Sequence, residues 1–187
     1  MNECSRGGVL LRTFSSIKDL PVYDKKTGKE LGRVLDLCLD KKGTVNGLMM
    51  DTKGLLKKNK LIPFSQIYSF GMDGVMLSNE PKQERMTQKL IDRHFLQNGQ
   101  DRIIGKPLMT TEGEKLGLVE DVYFKEELGT IVGYEVTDGF FADMTEGRKV
   151  FKSKKPLTIG ENILIVDLND TSKSCYKENH SVVVKEE

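Results

Sequence analysis

The chain states one pattern twice. Residues 27–50 read TGKELGRVLDLCLDKKGTVNGLMM, and residues 112–136 read EGEKLGLVEDVYFKEELGTIVGYEV. Gly28, Leu31, Gly32, Val34 and Asp36 align with Gly113, Leu116, Gly117, Val119 and Asp121 at one offset (113 − 28 = 85). After one additional residue in the second copy, Gly43, Thr44, Val45 and Gly47 align with Gly129, Thr130, Ile131 and Gly133. A unit this long, present twice, implies two copies of a small domain, because solenoids stack three or more units of roughly 20–50 residues. In 187 residues each copy sits near the lower size limit for a self-sufficient core. The copies therefore gain from packing on one another or on a partner.

Within each copy the periodicity is that of strands. From Arg33 to Leu39, Val34, Asp36 and Cys38 alternate with Leu35, Leu37 and Leu39, the period-two signature of a strand. A turn around Gly43 and a strand from Val45 to Met50 complete a hairpin. Short strands are expected at residues 20–23, 61–62 and 75–77, with a helical turn at 15–19. In the second copy strands are expected at residues 107–110, 115–125, 130–137, 149–151 and 162–167. Short strands separated by glycine turns predict a mainly β chain: two small antiparallel β-barrels, since closure removes exposed strand edges.

Between the copies the period changes. Asn79 can cap a helix with Pro81 in its first turn. Met86, Leu90, Ile91 and Phe95 recur at helical spacing, and Asn98-Gly99 supplies a stop. The expected organisation is a first barrel over residues 9–80, an amphipathic linker helix over 81–99, a second barrel over 100–168 and a disordered tail over 169–187. Residues 182–184, three valines, can pair as an edge strand where a partner offers one.

Composition narrows the function classes. The net charge of +1 creates no global field toward nucleic acid or an anionic membrane. No apolar run approaches the ~20 residues a spanning helix needs, and the apolar start at residues 9–11 is too short for a secretory signal. Cys4, Cys38 and Cys175 are odd in number and widely spaced, which fits reduced thiols in the cytoplasm. Cys38 reads as a small buried hydrophobe.

Chemistry-bearing motifs are scarce. Cys4, Cys38, His94, Cys175 and His180 lack metal-ligand spacing, so no metal or cofactor is expected. Neither histidine is placed beside a cysteine or serine as a base would be, so no catalytic residue is named and the chain is expected not to be an enzyme. Asp24 opens a hairpin turn rather than a calcium loop. Asp36 and Asp121 occupy matched positions, and a carboxylate kept in both copies is a candidate for catalysis; an aspartate beside a strand also readily accepts local backbone N–H groups, and that structural role is the one expected of both. Two basic clusters, Lys57, Lys58 and Lys60, then Lys152, Lys154 and Lys155, are candidate contacts for a phosphate backbone, although no aromatic residues interleave with them. Finally, Gly54-Leu55-Leu56 and Gly139-Phe140-Phe141 share the repeat offset (139 − 54 = 85). Adjacent residues on an extended segment point opposite ways, so Leu55, Leu56, Phe140 and Phe141 form either lids over the barrels or a contact surface, between the barrels or with a partner.

The repeated segments resemble the PRC-barrel family. Its pattern of a glycine turn, a Gly-x-Val-x-Asp strand, an Ile/Val-x-Gly strand and an apolar-apolar-Pro strand is met by Thr27-Gly28, Gly32-Arg33-Val34-Leu35-Asp36, Val45-Asn46-Gly47 and Leu61-Ile62-Pro63. The second copy supplies Glu112-Gly113, Gly117-Leu118-Val119-Glu120-Asp121, Ile131-Val132-Gly133 and Val150-Phe151, with Lys152 where the proline would stand. The whole chain is similar to two-barrel proteins of Gram-positive bacteria. The family includes the cytoplasmic domain of the photosynthetic reaction-centre H subunit and the C-terminal domain of a 30S ribosome-maturation factor, in both of which the barrel docks other molecules. The expected function is that of a docking or adaptor protein whose partner is another protein, with an RNA- or ribosome-associated assembly factor as the alternative and an enzyme with an unrecognised pocket as a third reading.

Overall fold

A computed structural model gives the fold, describing residues 9–40, 43–52, 59–79, 94–99, 101–139, 149–152, 158–167, 173–174 and 183–184. Of the linker helix expected over residues 81–99, residues 81–93 lie outside the described residues and residues 94–99 are described. The chain opens with β1 (Val9–Thr13) and a four-residue helix α1 (Phe14–Ile17), whose Ser16 N–H is capped by the Thr13 hydroxyl. The first copy continues through β2 (Pro21–Asp24), β3 (Glu30–Leu39), β4 (Val45–Thr52), β5 (Asn59–Pro63), β6 (Ile67–Phe70) and β7 (Val75–Leu77). After β8 (His94–Phe95) the second copy runs through β9 (Pro107–Thr110), β10 (Lys115–Lys125), β11 (Ile131–Thr137), β12 (Lys149–Lys152), β13 (Thr158–Ile159) and β14 (Leu164–Val166). Two short strands, β15 (Lys173–Ser174) and β16 (Val183–Val184), follow.

The copies build matching sheets. The first has the order β5-β4-β3-β2-β7-β6, and the second has β13-β14-β9-β10-β11-β12-β15. Each long strand lies between its copy's first and third strands: β3 between β2 and β4, β10 between β9 and β11. Among the described residues neither sheet closes into a complete barrel, and the pairing is not wholly antiparallel. β2 runs parallel to β7, and β9 runs parallel to β14. In each copy the last strand pairs antiparallel with its predecessor, β7 with β6 and β14 with β13, and lies parallel to the copy's first strand on its other side.

The repeated glycines mark close approaches. A Cβ at Gly32 would stand 1.9 Å from the Asp51 carbonyl oxygen, and one at Gly117 would stand 2.7 Å from that of Thr137. Both positions are where the long strand crosses the end of the strand that follows it, so only the missing side chain admits the contact. Period-two burial fails beyond them. Asp36, Leu37, Cys38 and Leu39 are all buried, because register shifts at Val34/Asp36 and Cys38/Leu39 turn the strand within its ladder. Cys38 is buried and takes part in no disulfide among the described residues.

The sheets are not separate barrels on a linker. β1 precedes the first copy yet pairs with β10 of the second, in the register Leu11↔Lys125, Arg12↔Phe124, Thr13↔Tyr123. β8 precedes the second copy yet pairs with β3 of the first, Cys38↔Phe95 and Leu39↔His94. Phe95, which fits the helical stripe by spacing, is therefore a strand residue: tertiary pairing overrides a local period. The C-terminal stretch expected as a tail contributes two ladders, β15 on β12 and β16 on β1. One continuous hydrophobic core holds side chains of both copies, Val34, Leu37 and Leu48 with Val119, Val122 and Phe124.

Candidate functional site: a reciprocal junction between the copies

The exchanged strands build a junction with approximate two-fold symmetry. Leu39 and Phe124 are repeat counterparts (124 − 39 = 85), and their ladder partners are His94 and Arg12. The approach strands thus correspond at a different offset (94 − 12 = 82). By that offset Phe14 matches Leu96, and both are buried. Ser15 matches Gln97. At the axis Thr44 and Thr130, counterparts in the two hairpin turns, form an antiparallel bridge. The Val45 N–H donates across it to the Gly129 carbonyl at 2.9 Å.

The matched aspartates latch this junction. Asp36 is wholly buried and Asp121 nearly so. The Gln97 N–H donates to both oxygens of Asp36 at 3.2 Å, and the Asn98 N–H and side-chain amide each donate to Oδ2 at 2.8 Å. The Ser15 N–H donates to both oxygens of Asp121 at 3.3 and 3.2 Å. Each aspartate also accepts from the next residue of its own strand, Leu37 and Val122, at 2.8 Å. A carboxylate suits this place because its oxygens accept several N–H groups at once. Burial raises the pKa of Asp36 above the usual carboxylate value, and the bonds from Asn98, Gln97 and Leu37 oppose that rise. Burial likewise raises Asp121, with the bonds from Ser15 and Val122 opposing and the Glu135 charge adding to the rise.

Other groups close the junction. Arg12 is buried; it pairs with Glu126 of the second copy and donates from Nη2 to the Phe70 carbonyl of the first at 2.7 Å. The Phe70 and Phe124 rings meet edge to face with centroids 5.6 Å apart, a favoured aromatic geometry. His94 takes the place that Arg12 has on the opposite side. Its Nδ1 is buried with no hydrogen-bond partner among the described residues.

The candidate contacts divide as follows. Leu55, Leu56, Phe140, Phe141, Lys57, Lys58, Lys154 and Lys155 lie outside the described residues. Lys60 on β5 and Lys152 on β12 are half-buried and belong to different sheets. The ends of the loops carrying the apolar pairs are described. β4 and β11 both start at the Thr44–Thr130 bridge, and the loops leave from their far ends, at Thr52 and Gly139. A strand rises about 3.3 Å per residue, so each loop begins roughly 25 Å from the bridge. Asp24 caps its own turn, accepting from the Lys26 and Thr27 N–H groups. Its counterpart Thr110 does the same for Glu112 and Glu114. Among the described residues no helix is long and apolar enough to cross a membrane.

Sequence alone identified the aspartates but not their donors. Ser15, Gln97 and Asn98 sit at an offset of 82 where the rest of the repeat runs at 85 or 86, so alignment of the copies does not bring them together.

The PRC-barrel domain model matches residues 11–83 and again residues 97–171. The Bacillus subtilis (strain 168) protein named "Uncharacterized protein YrrD" is 31% identical over 140 residues, covering 74% of this chain and 77% of that one. With two matches that together cover most of its length, the chain belongs to the PRC-barrel family as a tandem member.

Proposed function

We propose that this protein is a non-enzymatic cytoplasmic docking module that presents two separate contact ends on one rigid body. The observation that carries the reading is the placement of the loop roots. Residues 53–58 and 140–148 leave β4 and β11 at the ends remote from the bridge, whereas the junction is already filled by β1, β8, Arg12 and the phenylalanines. A contact between the copies through Leu55, Leu56, Phe140 and Phe141 has no support in this placement, and a partner at either end does. The repeated carboxylates, the strongest candidates for chemistry, are occupied with backbone N–H groups, which favours a scaffold over a catalyst.

Buried aromatic residues dominate many interface energies, so the Phe140-Phe141 end is the stronger one. The test compares partners recovered by the wild type, by Phe140→Ala/Phe141→Ser and by Leu55→Ala/Leu56→Ser, with thermal unfolding as the check on folding. A folded phenylalanine variant that loses a protein retained by the leucine variant supports the reading. Variants that stay folded and recover every partner refute it. Recovery that disappears with nuclease treatment or falls steeply with salt points instead to RNA through the lysine loops.

A further inference from the structure

The junction has the form of an interface between two subunits that happens to lie within one chain. Its contacts are reciprocal. β1 completes the second sheet and β8 completes the first. Asp121 holds the backbone entering the first copy, and Asp36 holds the backbone entering the second. Thr44 meets its own counterpart Thr130. Such self-complementary patches around a two-fold axis characterise isologous dimers.

Every one of these contacts joins residues 9–79 to residues 94–139, and residues 80–93 connect the two sets. We propose that this face is a self-recognition surface that works between chains: two copies trade halves into a dimer with two complete junctions. In that dimer β1 of each chain pairs with β10 of the other, β8 of each pairs with β3 of the other, and no contact of the junction is lost. The closed monomer competes because both halves belong to one chain and so meet at a high effective concentration. The exchanged form therefore gains weight when chains fold together at high concentration. The proposal is independent of the docking reading, because its test registers only which chains pair.

The antiparallel Thr44–Thr130 bridge supplies that test. Directly opposed residues in such a pair have Cα atoms about 4.5–5.5 Å apart, within the range a disulfide spans. The background carries Cys4→Ser and Cys175→Ser and retains Cys38, which is buried. A single chain with both Thr44→Cys and Thr130→Cys is expected to close on itself under mild oxidation. Full-length Thr44→Cys and Thr130→Cys chains, mixed in urea, refolded together at high concentration and then oxidised, are expected to give a disulfide-linked species of twice the chain mass. Either chain refolded alone should give little of it, because the exchanged junction never brings two copies of position 44, or of position 130, face to face. A mixture that stays at monomer mass while the double variant closes overturns the proposal. So does a double variant that fails to close, or equal cross-linking by either chain alone.

Discussion

Asp36 and Asp121 stand at matched places in the two copies, and each grips the backbone that leads into the other copy. Asp36 takes the Gln97 and Asn98 N–H groups, and Asp121 takes that of Ser15. The residue that looks most like a catalytic candidate by its repetition is thereby a joint.

Truncating the joint strands the donors. Asp36→Ala leaves the half-buried Gln97 N–H without its acceptor, and a buried unsatisfied group costs roughly 1–3 kcal/mol. A loss of about 2 kcal/mol is expected for Asp36→Ala and for Asp121→Ala, with a smaller loss for Asp36→Asn, which keeps one acceptor oxygen. Urea midpoints at unchanged slope measure these losses. An Asp36→Ala midpoint equal to the wild type would contradict the latch.

The pH dependence has a definite sign. Burial raises both aspartates above 3.8 in the folded chain, so the native state holds these protons more tightly than the unfolded chain does. Their contribution to stability is fully present below 3.8 and is lost as pH rises through the raised native values. The wild type should gain stability relative to Asp36→Asn as pH is lowered from about 7 to about 3. A relative loss on acidification would show that the N–H bonds outweigh burial and hold the native pKa below 3.8.

The two hairpin glycines separate a local requirement from one made across the junction. Gly43 and Gly129 both have positive φ, 75° and 64°. A Cβ at Gly43 meets nothing within 4 Å, whereas one at Gly129 would stand 2.4 Å from the Val45 carbonyl oxygen of the other copy. Gly43→Ala is expected to cost about 1–2 kcal/mol from backbone strain. Gly129→Ala should cost more, and should weaken protection from hydrogen exchange at the Val45 amide. Equal costs would mean that the Thr44–Thr130 bridge yields freely.

Much of each copy is legible in the sequence, and the way the copies are joined is not. The strands at residues 75–77, 107–110 and 115–125 are expected and found at those bounds, because glycine turns and period-two apolar residues are local signals. Gly32 and Gly117 are readable as special positions, though not as the crossing points they are. β1 and β8 carry nothing local that names their partners: Leu11, Arg12 and Thr13 suit either long strand, and Phe95 also fits the helical stripe. The latch donors are hidden for a related reason. A backbone N–H belongs to every residue but proline, so Gln97 and Ser15 cannot be recognised by side-chain type.

The exchanged strands and the shared core make the two copies one cooperative unit. The chain has no tryptophan, so a single introduced one reports on its own surroundings. Tyr68 on β6 and Leu128 in the turn after β10 are exposed at 59% and 66%, so Tyr68→Trp and Leu128→Trp place one reporter in each copy without disturbing the core. Urea unfolding followed by fluorescence in each variant, and by circular dichroism in both, should give coincident transitions with one midpoint and one slope. Two separated transitions, with one reporter released while the other stays native, would contradict the interlocked fold.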